Sequence, residues 1–115
     1  MAVESKDKAF LSAFAAKEKK ASGILLLELK GLTPLADYFL ICSGITTRQV
    51  KAVAEAVEEK LSKETVYPSH IEGLPDAHWI LMDYGDLVVH IFDEETRRYY
   101  ELEKLWGDAQ KVEIK

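Results

Sequence analysis

At 115 residues the chain is long enough for one ordinary domain and leaves little room for a second. With 48% hydrophobic and 30% charged residues it can build a packed core, which excludes a disordered chain. A net charge of −5 argues against a direct nucleic-acid binder, since phosphate contacts need Lys and Arg; it suits either a solvated acidic surface or a basic protein partner.

In chain order, residues 6–20 read as a helix. Phe10, Leu11 and Phe14 recur at helical spacing, and the lysines at its end suit the negative pole of the helix dipole. Ser22-Gly23 ends it. Residues 24–29 form an apolar strand, and Pro34 makes the next segment a loop. Residues 38–42 are apolar throughout, as a strand buried on both faces requires. Cys42 is the single cysteine and belongs to that run, so it reads as a buried small residue in a reducing compartment.

Ser43-Gly44 breaks the strand. Thr46 and Gln49 then have the spacing of a capping box, with Ile45 and Val50 placed to form a hydrophobic staple around it. Val50, Val53, Ala54, Val57 and Leu61 line one face of the helix that follows. Residues 65–71 make a short strand that Pro68 confines to a sheet edge. A turn-rich link with Gly73 and Pro75 leads into a hairpin. Asp93 caps a final helix, from which Leu102, Leu105 and Trp106 return to the core before Gly107 stops it. The order αββαβββα, with a crossover through the Thr46 helix, implies a single α+β domain with a mixed five-stranded sheet over residues 1–107 and a flexible tail over 108–115.

The hairpin is the most informative stretch. With Gly85-Asp86 as a two-residue turn, Tyr84 pairs with Leu87, Met82 with Val89 and Ile80 with Ile91. Strand side chains alternate, so Ile80, Met82, Tyr84, Leu87, Val89 and Ile91 form one wholly apolar face. Trp79, Leu81, Asp83, Val88, His90 and Phe92 form a mixed one. That second face is either covered by the last helix or partly open to a partner.

Catalytic chemistry finds little support. Ser43-Gly44 between a strand and a helix resembles the turn of nucleotidyltransferase sites, but the next strand lacks the pair of acids that would hold Mg²⁺ on a nucleotide. Asp83 and Asp86 straddle a turn. The spacing of His70, His78, His90 and Cys42 matches no compact metal motif, and a lone Gly44 makes no phosphate loop. No catalytic residue, cofactor or metal is therefore expected. Arg97 and Arg98 sit among Glu94, Glu95 and Glu101, which reads as ion pairing within the helix rather than contact with RNA. The N-terminus lacks the apolar core of a signal peptide, and no apolar run approaches the ~20 residues of a membrane span, so a cytoplasmic protein is expected.

Four segments carry a family resemblance: ADYFLICSG at 36–44, TRQV at 47–50, WILMDYGDLVVHIF at 79–92 and ETRRYYELEKLW at 95–106. In these the chain resembles the ribosomal silencing factor, or Iojap-like, family. The resemblance implies a nucleotidyltransferase-like fold without the catalytic acids. It implies binding to the large ribosomal subunit through large-subunit ribosomal protein fourteen, a steric block to subunit joining and lowered translation when nutrients are short. Organelle relatives act in large-subunit assembly, which is the alternative role; a homodimeric interaction module is another. The docking residues expected on the hairpin are Trp79 and Leu81 as apolar anchors, with Asp83, Tyr84, Asp86 and His90 facing a basic partner. Little or no direct contact with nucleic acid is expected.

Overall fold

The computed structural model describes residues 3–114. In chain order its elements are α1 (Ser5–Glu18), β1 (Ser22–Glu28), β2 (Tyr38–Gly44), α2 (Thr47–Ser62), β3 (His70–Glu72), β4 (Trp79–Asp83), β5 (Leu87–Asp93), α3 (Glu94–Tyr100), α4 (Leu102–Leu105) and β6 (Gln110–Val112). The strands form a six-stranded sheet in the order β3-β4-β5-β2-β1-β6. β2 and β5 run parallel at its centre, and every other pairing is antiparallel. Among the described residues no helix is long and apolar enough to cross a membrane.

The mixed α+β architecture is as expected, with one strand more than the sequence suggested. The extra strand corrects the reading of a flexible tail over its described part, 108–114, Lys115 lying outside the described residues: Gln110–Val112 pairs with Leu26–Glu28 of β1, and Val112 and Ile114 pack against the core. Three residues with one apolar side chain make too short a pattern to stand out. The strand expected over 65–71 shrinks to His70–Glu72, and it occupies the sheet edge that Pro68 implied.

α1 and α2 cover one face of the sheet. α2 begins where Thr46 Oγ1 accepts the Gln49 N–H at 3.1 Å. The reciprocal bond is shifted by one residue, since Gln49 Oε1 accepts from Ile45 N–H at 2.8 Å. Gln49 also donates from Nε2 to the carbonyls of Lys19 and Lys20, tying the end of α1 to the start of α2. Ile45 is exposed, so no staple with Val50 forms. α1 meets its neighbours through Ala9, Ser12, Ala13 and Ala16, all fully buried, rather than chiefly through Phe10, Leu11 and Phe14, which are only half-buried. Small side chains let the helix lie close; Phe10 and Leu11 flank the contact.

The hairpin register is the one expected: Ile80 faces Ile91, Met82 faces Val89 and Leu81 faces His90. Tyr84 N–H bonds to Leu87 C=O at 2.8 Å. Gly85 adopts φ +86°, a conformation that suits glycine. The turn itself is tighter than a type II′ turn, because Asp86 N–H bonds back to Tyr84 C=O, an i to i+2 closure of the γ-turn kind. Ile80, Met82, Leu87, Val89 and Ile91 are fully buried beneath α1 and α2.

The C-terminal helix is two short helices. Asp93 caps the first, its carboxylate accepting Thr96 N–H at 2.8 Å. Glu101 then adopts a left-handed conformation, φ +47°, and redirects the chain. Leu102 and Trp106 pack on the second core, formed by Leu27, Leu29, Ala36, Phe39, Ile41 and Phe92. Leu105 remains exposed, contrary to its expected return to the core.

Candidate functional site

The two faces of the sheet are finished differently. On the face away from α1 and α2, Leu102, Trp106 and Ala109 cover the part built by β1, β2 and β5. The outer part, built by β4, is left half-open. Trp79, Leu81 and Asp83 alternate onto it as a stripe and all three are half-buried. Four residue steps along a strand span about 13 Å.

Trp79 is held firmly. Its ring stacks on Phe92 with centroids 4.8 Å apart, and its Nε1–H donates to His90 Nδ1 at 3.2 Å. That bond leaves the proton of a neutral His90 on Nε2. Nε2 is buried and has no hydrogen-bond partner. Burial also depresses the His90 pKa to about 4, so the ring stays neutral near pH 7. Leu81 joins neither apolar core among the described residues. Asp83 Oδ1 accepts Gly85 N–H at 2.8 Å, and its other oxygen lies 3.9 Å from His70 Nδ1.

The expected docking residues therefore divide. Trp79, Leu81 and Asp83 share one partly accessible stripe. His90 lies on the same face but is only 4% exposed, underneath Trp79, so it supports the stripe rather than lining it. Tyr84, 8% exposed, packs in the core on the helix side, and burial raises its phenol pKa. Asp86 is drawn to that side too: Lys8 of α1 donates to both of its carboxylate oxygens, at 3.1 and 3.2 Å. Strand alternation located the mixed face, but it carried no information on which of its members another part of the chain would cover.

Arg97 does not pair within its own helix, contrary to the expectation for Arg97 and Arg98. Its Nη1 donates to Ser43 Oγ at 2.9 Å, and its Nε donates to Glu103 at 3.1 Å. It thus stitches α3 to the ends of β1 and β2. Gly23 makes this possible, because a Cβ there would lie 2.8 Å from Arg97 Nη1. The guanidinium thus sits against Ser43, near the end of β2. Only the juxtaposition of Gly23, Ser43 and Arg97 in space reveals this role, and no local pattern signals it.

Among the described residues no group of three or more His, Cys, Asp or Glu is gathered closely enough to hold a metal ion. Burial pushes the Cys42 thiol up to about 12, which keeps it protonated and unreactive.

A family model described as "Ribosomal silencing factor during starvation" matches residues 2–115. The chain belongs to the ribosomal silencing factor family. Within that family it is 41% identical over 104 residues to the ribosomal silencing factor of Bacillus subtilis, covering 90% of this chain and 88% of that one. A more distant relative is the mouse "Mitochondrial assembly of ribosomal large subunit protein 1", 34% identical over 94 residues, which span 78% of this chain and 41% of the mouse protein. A crystal structure of a protein from Chromobacterium violaceum superposes with a TM-score of 0.89 at 35% identity, covering 97% of this chain and 92% of the other.

Proposed function

We propose that this ribosomal silencing factor acts in the cytoplasm by docking on the large ribosomal subunit, through large-subunit ribosomal protein fourteen, and sterically blocking the small subunit from joining. No bond is made or broken in this reading. The observation that carries it is the half-open stripe Trp79–Leu81–Asp83, an apolar anchor next to an acid on a chain of net charge −5. A basic ribosomal protein complements it: charge speeds and orients the encounter, and the desolvated Trp and Leu supply affinity. An interface of ~600–800 Å² per side is enough.

The test follows subunit joining in sucrose gradients. Saturating wild-type protein is expected to leave the subunits apart, and Trp79→Ala to restore joining by weakening the complex about ten-fold or more. Leu81→Glu, at a position outside both cores among the described residues, gives the same readout. Undiminished joining with wild-type protein would remove this reading. The name of the mouse relative favours a second one, assistance to large-subunit assembly. That role would show as immature large subunits in depleted cells even when joining is unaffected. A homodimer using the same face would show as a mass that rises with concentration.

A further inference from the structure

The half-open face continues beyond the hairpin onto α3. That helix buries none of its residues; Tyr99 is 80% and Tyr100 53% exposed. Isolated exposed aromatics are ordinary on a protein surface. These two are linked. Tyr99 and Tyr100 pack edge to face with centroids 5.0 Å apart, and Tyr100 lies 5.0 Å from Trp79. A ladder of rings thus runs from Phe92 in the second core, through Trp79, out to Tyr99. Its inner end is pinned by the bond from Trp79 to His90. The result is a preorganised aromatic shelf, continuous with the Trp79–Leu81–Asp83 stripe.

Apart from His78, which is held by Asp93, the charge around the shelf is acidic. A cleft of about 310 Å³ beside it is lined by His78, Asp93, Glu95, Thr96, Tyr99 and Tyr100, without a Lys or Arg. Arg97 is turned away to Ser43, and Arg98 lines a different cleft. Asp93 is already committed, to His78 at 2.5 Å and to the cap of α3. Glu95 is exposed and has no ion-pair partner among the described residues. Tyrosine faces beside an uncommitted carboxylate suit a flat cation: a guanidinium stacks on the ring while its N–H groups reach the carboxylate. An ammonium does neither as well.

We propose that the Tyr99–Tyr100 shelf, with Glu95 as counter-charge, receives an arginine side chain of the basic protein on which the Trp79 stripe docks. This rests on the docking reading above and extends its surface from β4 to α3. Tyr99 supplies the stacking face, Tyr100 braces it against Trp79, and Glu95 selects for positive charge.

The experiment measures the affinity of purified variants for salt-washed large subunits at low and moderate salt, together with the mass of each free variant. Tyr99→Ser is expected to weaken binding about ten-fold, Tyr99→Phe to stay within about two-fold, and Glu95→Gln to lose several-fold with a shallower salt dependence. Near-UV circular dichroism checks the fold of each. As a direct probe, N-acetylarginine amide should shift the Tyr99 and Tyr100 ring resonances more than N-acetyllysine amide does. Equal shifts would overturn the choice of arginine. If Tyr99→Ser and Glu95→Gln bind like wild type while Trp79→Ala is weakened, the shelf lies outside the interface and this inference fails alone. If Trp79→Ala and Leu81→Glu also bind normally, the docking reading fails with it. If Tyr99→Ser alters only self-association, the shelf serves a second copy of the chain and the inference is overturned.

Discussion

The two faces of one sheet have received opposite treatment. Under α1 and α2, Ile80 and Met82 of β4 and Leu87, Val89 and Ile91 of β5 are sealed, and Gln49 joins the ends of the two helices above them. On the other side the C-terminal segment covers chiefly the inner strands, with Tyr100 against Trp79, and Trp79, Leu81 and Asp83 are left half-exposed. The same hairpin thus serves as core through one set of alternate residues and as surface through the other. What separates them is the length and placement of the covering helices, together with the polar Asp83 and His90 that only the second face carries.

Truncating one residue on each face tests this contrast most strongly. Ile80→Ala, on the sealed face, should cost about 2–5 kcal/mol of stability by leaving a cavity. Leu81→Ala, its neighbour on the open face, should cost about 1 kcal/mol or less. Urea unfolding of the two variants reads both values; equal losses would mean that the second face is closed as well.

Acid provides the next test. His90 binds a proton in the unfolded chain near pH 6.5 but in the folded protein only near pH 4, because burial penalises the charged ring. Its contribution to stability is therefore present above pH 6.5 and is lost as pH falls through that window, on the order of 3 kcal/mol. His90→Leu should flatten this dependence relative to wild type. His78 behaves in the opposite sense. The hydrogen bond that its Nδ1–H donates to Asp93 raises its pKa, so its contribution is present below 6.5 and fades as pH rises through the folded value. Histidine proton resonances followed by pH should show one ring titrating near 4 and another above 6.5; a His90 ring titrating at an ordinary pH would mean that water reaches it.

A smaller effect is expected at the joint that holds the partial cover in place. Arg97→Ala removes the bonds to Ser43 and Glu103 and should cost about 1–2 kcal/mol. Faster hydrogen exchange should appear in α3 and α4 while α1 and α2 stay protected. Uniform loosening would deny that α3 and α4 are a separately attached cover.

How far the sequence anticipated this arrangement depends on the range of the interaction. The register of the hairpin was legible because alternation has a fixed period and Gly85 marks the turn. The start of α2 was legible from Thr46 and Gln49, although the exposed Ile45 shows that the staple did not follow from spacing alone. β6 was not visible, since Gln110–Val112 gains its order from pairing with β1 rather than from its own pattern. Of the candidate surface, Trp79, Leu81 and Asp83 were identifiable by parity. The burial of His90, the capture of Asp86 by Lys8 and the turn of Arg97 toward Ser43 depend on residues 11 to 78 positions away along the chain. No local reading contains them.

Hydrogen–deuterium exchange of the free protein and of its complex with large subunits tests the central claim most directly. Binding through the half-open face should slow exchange in β4 and α3 and leave α1 and α2 unchanged. Protection confined to α1 and α2, with β4 and α3 exchanging as in the free protein, would contradict it.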